Sequence, residues 1–156
     1  MSTLVSGIRR LGHRPWFARL GRALTPVDRA VGIRTKGRFV ALGLHDLPAL
    51  LITTIGRRSG RPRTNPLLYA REGDAYMVVG TNWGQQHQPN WTLNLLANPN
   101  ALIAVNGRTF KVRASLATGS ERERYWRLLT AIWPAYPTYQ ARAGGREVMV
   151  FRLDPR

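Results

Sequence analysis

From residue 49 onwards, apolar and polar positions alternate in short runs that turn residues separate. This alternation predicts about six β-strands, each with one buried face. Antiparallel hairpins are expected at Glu72-Gly73-Asp74 and at Asn106-Gly107, a strong tight-turn dipeptide. Hairpins favour a small β-barrel with flanking helices over a doubly wound sheet. The strands are predicted at Ala49–Ile55, Asn65–Arg71, Ala75–Gly80, Ala101–Val105, Arg108–Leu116 and Arg146–Leu153.

Two helices are predicted between these strands. The first covers Pro89–Ala97 and ends before a run of Asn and Pro residues. The second opens at Ser120, with Glu123 completing a capping box, and continues to about Ile132. We expect the prolines that follow, Pro134 and Pro137, to end it.

Residues 1–39 have a different character, with nine basic residues against the single acid Asp28. Apolar residues recur there at helical spacing, and Pro15 either separates two helical segments or starts the second. We expect a basic helical extension, followed by a barrel domain in residues 40–156. The helices lie on an anionic membrane surface, or they pack on their own domain or a second subunit. The spaced residues are Leu4, Ile8 and Leu11, then Trp16, Leu20 and Leu24.

The 156 residues carry 24 Lys and Arg against 8 Asp and Glu, a formal net charge of +16. Such a balance predicts attraction to phosphates, in a nucleotide-like cofactor, an anionic lipid or nucleic acid. Nucleic acid is disfavoured because the aromatic residues do not interleave with the basic ones.

Other classes of site and location are excluded by what the composition lacks. There is no cysteine, so disulfides and thiolate metal sites are excluded. His13, His45 and His87 lie far apart in sequence, and we expect no metal. No apolar run could span a bilayer and no secretory signal is evident, so we expect a cytoplasmic location, with the membrane's inner face as the alternative.

The strongest chemical signal is the stretch LLITTIGRRSGRPR, in which an apolar run ends at Gly56 and a basic loop follows. Guanidinium groups so close together repel one another unless an anion lies among them. Glycines let backbone N–H groups approach a phosphate, and Arg side chains bind it bidentately. Phosphate binding and a solvated basic loop both remain open on these residues alone. The arginines are Arg57, Arg58, Arg61 and Arg63.

Four motifs in order carry a resemblance that covers about Leu50 to Leu153. They are T-x-G-R-x-S-G-x-x-R, N-P-L-x-Y, P-x-W-x-x-N-L-x-A-N-P and a late Tyr/Trp-Pro cluster. The chain resembles the deazaflavin-dependent nitroreductase family, within the flavin and deazaflavin oxidoreductases of split β-barrel fold. The resemblance implies coenzyme F-420, a hydride carrier with a phosphate and an anionic glutamate tail. Split barrels of this kind are often dimers, so a homodimer is a further expectation.

The resemblance also implies residue roles. The phosphate would lie on the basic loop, and Arg61 ranks below its neighbours because the family varies there. The other positions match the strand edge along the deazaflavin ring, the segment on the ring's polar side, and the helix bordering the groove. The implied cofactor residues are Arg57, Arg58, Ser59, Gly60, Arg63, Asn65, Pro66, Leu67, Val79, Gly80, Thr81, Asn82, Trp91 and Asn94.

On the substrate side, Trp133, Tyr136 and Tyr139 match a cluster in which relatives place several tyrosines around a planar substrate. Aromatic rings sandwich flat acceptors, and a phenol donates a hydrogen bond or a proton. Because Trp133 replaces one phenol, quinone reduction is favoured over nitro reduction. The expected activity is hydride transfer from reduced F-420 to an electron-poor small molecule. The alternatives are an FMN-dependent split-barrel oxidoreductase and a non-catalytic F-420-binding protein.

Overall fold

The computed structural model describes residues 3–41 and 46–156, and within them one curled sheet of seven antiparallel strands forms a half-barrel. The strand order is β2-β1-β5-β6-β7-β4-β3. The strands are β1 (Ala49–Ile55), β2 (Pro62–Leu68), β3 (Ala70–Glu72), β4 (Ala75–Val79), β5 (Asn100–Val105), β6 (Arg108–Leu116) and β7 (Val150–Pro155). The helices are α1 (Thr3–Leu11), α2 (Pro15–Arg34), α3 (Asn90–Ala97), α4 (Gly119–Ile132) and α5 (Tyr136–Arg142). The split-barrel prediction is confirmed.

The predicted strand Asn65–Arg71 is in fact two strands with different partners. β2 pairs with β1 as far as Leu68, which lies opposite Ala49, the first residue of β1. Tyr69 makes one more bond to that side, from its N–H to the Pro48 carbonyl just before β1, and from Ala70 the chain pairs with β4 instead. Proline is tolerated at position 66 because β2 is an edge strand of the sheet. The last strand also starts later than predicted, at Val150.

The predicted capping box at Ser120 is wrong. Helix α4 begins at Gly119 with Thr118 as N-cap, and no side chain caps it. Pro137 does not end a helix either. It lies in the first turn of α5, where its missing N–H costs nothing. Pro15 starts α2, as one of the two predicted alternatives has it.

Helices α1 and α2 pack closely on the rest of the protein. A side chain at Gly12 would lie within 2.7 Å of the Trp133 ring, and one at Gly32 within 2.9 Å of Leu51. The turn between the two helices is tied to α5, since Tyr139 Oη donates to the Gly12 carbonyl at 3.0 Å. Packing on the chain's own barrel therefore accounts for the inner face of this segment.

Buried side chains form two clusters on opposite faces of the sheet. In β4, Met77 and Val79 belong to the cluster that α4 and α5 cover, whereas Val78 belongs to the barrel interior beneath α3. Alternate residues of a strand point to opposite faces, so β4 is buried on both. The candidate site lies where this buried strand ends.

Candidate functional site

A cavity of about 270 Å³ opens between α2, the edge strand β2, the segment after β4, and α5. Its wall is mostly apolar, with a few polar groups that include Asn65, Thr81 and Asp28. A mostly apolar cavity with few polar groups is typical of a small-molecule site. Its lining contains ten of the predicted site residues: Asn65, Pro66, Leu67, Val79, Thr81, Asn82, Trp91, Trp133, Tyr136 and Tyr139.

The remaining predicted residues lie outside this lining. Gly80 is buried against α3, where a side chain would overlap Thr92. Asn94 is buried on α3 and does not line the cavity. Its side-chain amide donates to Thr54 Oγ1 at 3.1 Å. The other residues belong to residues 56–63, called the basic turn from here on, which joins β1 to β2 and includes the first two residues of β2: Arg57, Arg58, Ser59, Gly60 and Arg63.

The basic turn is held to α3 through Arg57. The backbone N–H of Arg57 donates to Asn94 Oδ1 at 3.2 Å, and its guanidinium donates to the same oxygen at 3.2 Å. A second contact, at 3.4 Å, reaches Asn90 Oδ1. Trp91, on the same helix, lines the cavity. Helix α3 thus connects the turn to the cavity wall.

The turn itself is compact and is closed by two backbone hydrogen bonds. Gly56 N–H donates to the Arg61 carbonyl at 2.8 Å, and Gly60 N–H donates to the Gly56 carbonyl at 2.8 Å. In the described part of the chain, the N–H groups of Arg58 and Ser59 have no acceptor. No carboxylate of residues 3–41 or 46–156 lies within 4.0 Å of a guanidinium nitrogen of the turn's four arginines. Its positive charge is therefore not neutralised by those residues.

The two tyrosines of the cavity differ in their hydrogen bonding. Tyr139 Oη donates to Gly12 and accepts from Trp133 Nε1 at 3.3 Å, so it is already engaged. The Tyr136 hydroxyl has no hydrogen-bond partner among the described residues. Burial raises the pKa of Tyr136 above its ordinary value, with the nearby Tyr139 adding to the effect. Tyr136 therefore remains a protonated donor throughout the physiological pH range.

Helix α2 forms part of the cavity wall, which the sequence did not predict. It contributes Phe17, Gly21, Leu24 and Asp28. Their spacing of four, three and four residues places them on one helical face. The predicted apolar face used Trp16, Leu20 and Leu24, but Trp16 and Leu20 are exposed. Asp28, the only acid of the segment, accepts a hydrogen bond from Ala41 N–H at 3.0 Å. The signal that could have indicated this wall is a glycine and an acid on the same helical face as a phenylalanine.

A second missed feature is the segment from Gly80 to Gln88, which Arg146 holds. The Arg146 guanidinium donates to the carbonyls of Gly80 at 3.0 Å and Thr81 at 2.9 Å. It also bonds Gln85 and Gln88. Burial lowers the pKa of Arg146, which still remains charged at neutral pH. No local pattern indicates this contact, and Arg146 was predicted to lie in a strand.

Two negative findings concern metals and membranes. Among the described residues, no group of three His, Asp or Glu side chains could hold a metal ion. His45 lies outside those residues. No helix in residues 3–41 or 46–156 has both the length and the hydropathy needed to cross a bilayer.

Comparison with known proteins supports the resemblance noted in the sequence. An F420H(2)-dependent quinone reductase of Mycobacterium tuberculosis H37Rv is 37% identical over 112 residues, which are 70% of this chain and 74% of the relative. A solved structure described as an F420-H2 dependent reductase, FDR-A, has 31% identity and a TM-score of 0.63, over 69% of this chain and 94% of that chain. Another, described as a domain-swapped dimer, has 30% identity and a TM-score of 0.64, over 80% and 93%.

The family model that matches is described as F420H(2)-dependent quinone reductase, and it covers residues 27–155. This range includes the basic turn, the segment after β4 and the aromatic residues of the cavity. The chain belongs to the F420H(2)-dependent quinone reductase family.

Proposed function

We propose that this protein transfers hydride from reduced coenzyme F-420 to a quinone-class acceptor. The observation that carries the proposal is the continuity between a cationic turn and an apolar cavity. Strand β2 runs from Arg63 in the turn to Asn65 in the cavity wall, and α3 joins Arg57 to Trp91. A ligand with an anionic handle and a flat ring matches both parts of this surface.

The residues present fit the anionic part of F-420. The N–H groups of Arg58 and Ser59 are available in the described structure, and the guanidinium of Arg57 is fixed in place before any ligand binds. Preorganised donors lose little entropy on binding an anion. We assign the phosphate to Arg57, Arg58 and Arg63 with Ser59 and Gly60.

The ring would be held by the residues that follow the turn and by the end of β4. Asn65, Pro66 and Leu67 offer a strand edge, and Trp91 an aromatic wall, on the cavity's surface. Asn94 acts through Arg57, since its carbonyl oxygen receives both Arg57 contacts. The polar side of the ring is assigned to Val79, Gly80, Thr81 and Asn82.

When bound, the reduced deazaflavin supplies the hydride, so the protein's part is orientation, exclusion of water and hydrogen bonding. We propose that Tyr136 donates a hydrogen bond to the oxygen of the acceptor. Its hydroxyl has no hydrogen-bond partner in the described structure. Its raised pKa suits a hydrogen-bond donor better than an acid that ends ionised, so the proton would come from solvent. Tyr139 and Trp133 bond to each other and would supply stacking surface.

Nitro compounds are the weaker acceptor candidates within this proposal. Trp133 stands where relatives have a phenol, and its indole N–H donates to Tyr139. One donor that could polarise a nitro group is therefore missing. A quinone carbonyl needs only one donor at each oxygen, and Tyr136 provides one.

The test is a titration of the purified protein with F-420, followed by fluorescence, and then turnover of reduced F-420 with menadione. We expect saturable binding and loss of the reduced cofactor that depends on both enzyme and menadione. Stoichiometric FMN binding without F-420 affinity would establish the FMN-dependent alternative. Tight F-420 binding without turnover of any quinone or nitro acceptor would establish a carrier protein.

We also propose that the extension, residues 1–39, meets an anionic membrane surface from the cytoplasmic side. Trp16, Leu20, Val27 and Val31 lie on one face of α2 and are all more than 40% exposed. Sedimentation with vesicles containing phosphatidylglycerol should decrease when Trp16 and Leu20 become Ser, whereas neutral vesicles should bind neither form. Equal sedimentation of both forms would leave a homodimer interface for this face, which light scattering would detect.

A further inference from the structure

The turn after Thr81 has an unusual backbone at the cavity wall. Asn82, Trp83 and Gly84 have φ angles of 49°, 57° and 81°. Glycine adopts such angles freely, but a bulky residue such as tryptophan rarely does. Residues in such conformations persist only where the surroundings hold them, and they often occur at ligand sites.

Arg146 provides that restraint. Its Nη1 donates to the Gly80 carbonyl at 3.0 Å and to Gln88 Oε1 at 2.7 Å, on either side of the turn. Its Nη2 donates to the carbonyls of Thr81 and Gln85, at 2.9 and 3.0 Å. Only a planar guanidinium, with several N–H donors fixed in different directions, can reach all of these acceptors. A lysine ammonium has no such geometry.

The restraint determines where the Trp83 indole lies. Trp83 lines the cavity and contacts Tyr139, with ring centroids 6.0 Å apart. On its other side it meets α2 at Gly21, where any side chain would overlap the indole. The indole is therefore held between α2 and α5, with part of its surface facing the cavity.

This part of the cavity is the aromatic end, and it packs in a different cluster from helix α3, which holds the basic turn. Trp83 packs in the same cluster as Trp133, Tyr136 and Tyr139. Trp91, by contrast, belongs to the cluster beneath α3, the helix that anchors Arg57. Trp83 thus belongs with the residues assigned to the acceptor and not with those assigned to the cofactor's anion.

We propose that Trp83 is a specificity-determining residue for the acceptor, and that Arg146 is a positioning residue that holds its turn. This inference deepens the proposed function and rests on it. The indole stacks on flat acceptors and limits their size from the α2 side. Arg146 acts through the backbone of residues 80–88 and contacts no ligand.

Three variants test the proposal from different directions. Trp83→Leu removes the stacking ring, and Gly21→Ala pushes the ring into the cavity without touching Arg146. Arg146→Lys keeps the charge but loses the fork. The matched control is Arg122→Lys, because Arg122 also donates to a backbone carbonyl, that of Val148, outside the turn.

The first readout needs no cofactor. Menadione binding to the cofactor-free protein, measured by tryptophan fluorescence quenching, should weaken about two- to tenfold in Trp83→Leu. In turnover, the KM for menadione should rise in Trp83→Leu, Gly21→Ala and Arg146→Lys. The KM for one-ring benzoquinone should stay within about twofold in Gly21→Ala, since a smaller acceptor tolerates a narrower cavity.

Further readouts separate positioning from a merely structural role. F-420 affinity should stay within about twofold in Trp83→Leu. Hydrogen exchange of residues 81–88 should accelerate in Arg146→Lys and not in Arg122→Lys, with KM changing in parallel. Wild-type protein that binds menadione but never oxidises reduced F-420 would refute the proposed function, while the binding comparison would still decide the role of Trp83.

Two results would overturn the inference. In the first, Trp83→Leu leaves menadione binding unchanged and weakens F-420 binding, which would make the indole part of the cofactor site. In the second, Arg146→Lys lowers thermal stability like the Arg122 control and leaves KM and the exchange of residues 81–88 unchanged.

Discussion

The most direct test of the basic turn is Arg57→Ala. The Arg57 backbone N–H keeps its bond to Asn94 Oδ1 when the side chain is removed, so α3 still anchors the turn. The substitution therefore isolates the guanidinium from the loop's geometry. Since Arg57 is exposed, the free energy of unfolding should change by less than about 1 kcal/mol.

The expected loss of cofactor affinity follows from one or two charged hydrogen bonds. Each is worth about 1.5–3 kcal/mol, and an exposed position places the value at the lower end because solvent and salt screen it. Removing Arg57 should weaken F-420 binding about 10- to 100-fold. Replacing Arg58 as well should weaken it further, since the two guanidiniums bind one anion.

Arg61→Ala is the matched control, because Arg61 lies on the same turn and is also exposed. F-420 fluorescence titrations at low and high salt would measure the dissociation constants of the wild type, Arg57→Ala and Arg61→Ala. We expect Arg61→Ala to lose much less affinity than Arg57→Ala. Equal losses would show that the turn acts only through its total charge, and an unchanged dissociation constant in Arg57→Ala would refute its phosphate role.

Three further predictions concern stability and pH. Asn94→Ala leaves the buried hydroxyl of Thr54 without its hydrogen bond and should lower the free energy of unfolding in urea by about 1–3 kcal/mol, and no measurable loss would contradict the network. Burial raises the pKa of Tyr136, so its contribution to the free energy of unfolding should be fully present below about pH 10 and be lost above it. Tyr136→Phe should remove part of that loss. A turnover profile with a Tyr136 ionisation near neutral pH would contradict this. Gly12→Ala should overlap Trp133 and cost about 1–3 kcal/mol, and proteolysis of α1 that stays as slow as in wild type would refute the close packing.

Features that depend on neighbouring residues were predictable from the sequence. Asn106-Gly107 forms the expected tight turn, with φ angles of 50° and 83°, and joins β5 to β6 in register. Such angles are those that a type I′ turn requires, and Asn-Gly meets them at low cost. The order of the main strands and helices followed from signals of this kind.

Features that depend on distant partners were not predictable in this way. Tyr69 looks like the middle of a strand, yet it lies between two strands, because the residues before it pair with β1 and those after it with β4. Ser120 and Glu123 match a capping box, yet α4 begins one residue before Ser120, at Gly119. Arg146 looks like the start of a strand, yet its side chain bonds the segment after β4. For Tyr69 and Arg146 the deciding contacts lie far away in the sequence.

The same distinction applies to the candidate site. Ten of the residues that the family motifs single out line one cavity, because the motifs lie on a sheet edge and on helices that surround it. The contribution of α2 was not predicted, because helical periodicity identifies an apolar face. The face of α2 that lines the cavity contains both apolar and polar residues. Phe17, Gly21, Leu24 and Asp28 combine an aromatic ring, a close approach, an aliphatic side chain and an acid.

This mixed face bears on how the activity is divided along the chain. The family match begins at residue 27, inside α2, whereas Ile8, Phe17, Gly21 and Leu24 line the cavity from before that point. The basic turn and the segment after β4 lie within the match. We infer that the matched part provides the cofactor chemistry shared by the family. The first half of α2, packed on Trp83, would then adapt the acceptor end to this protein's own substrate.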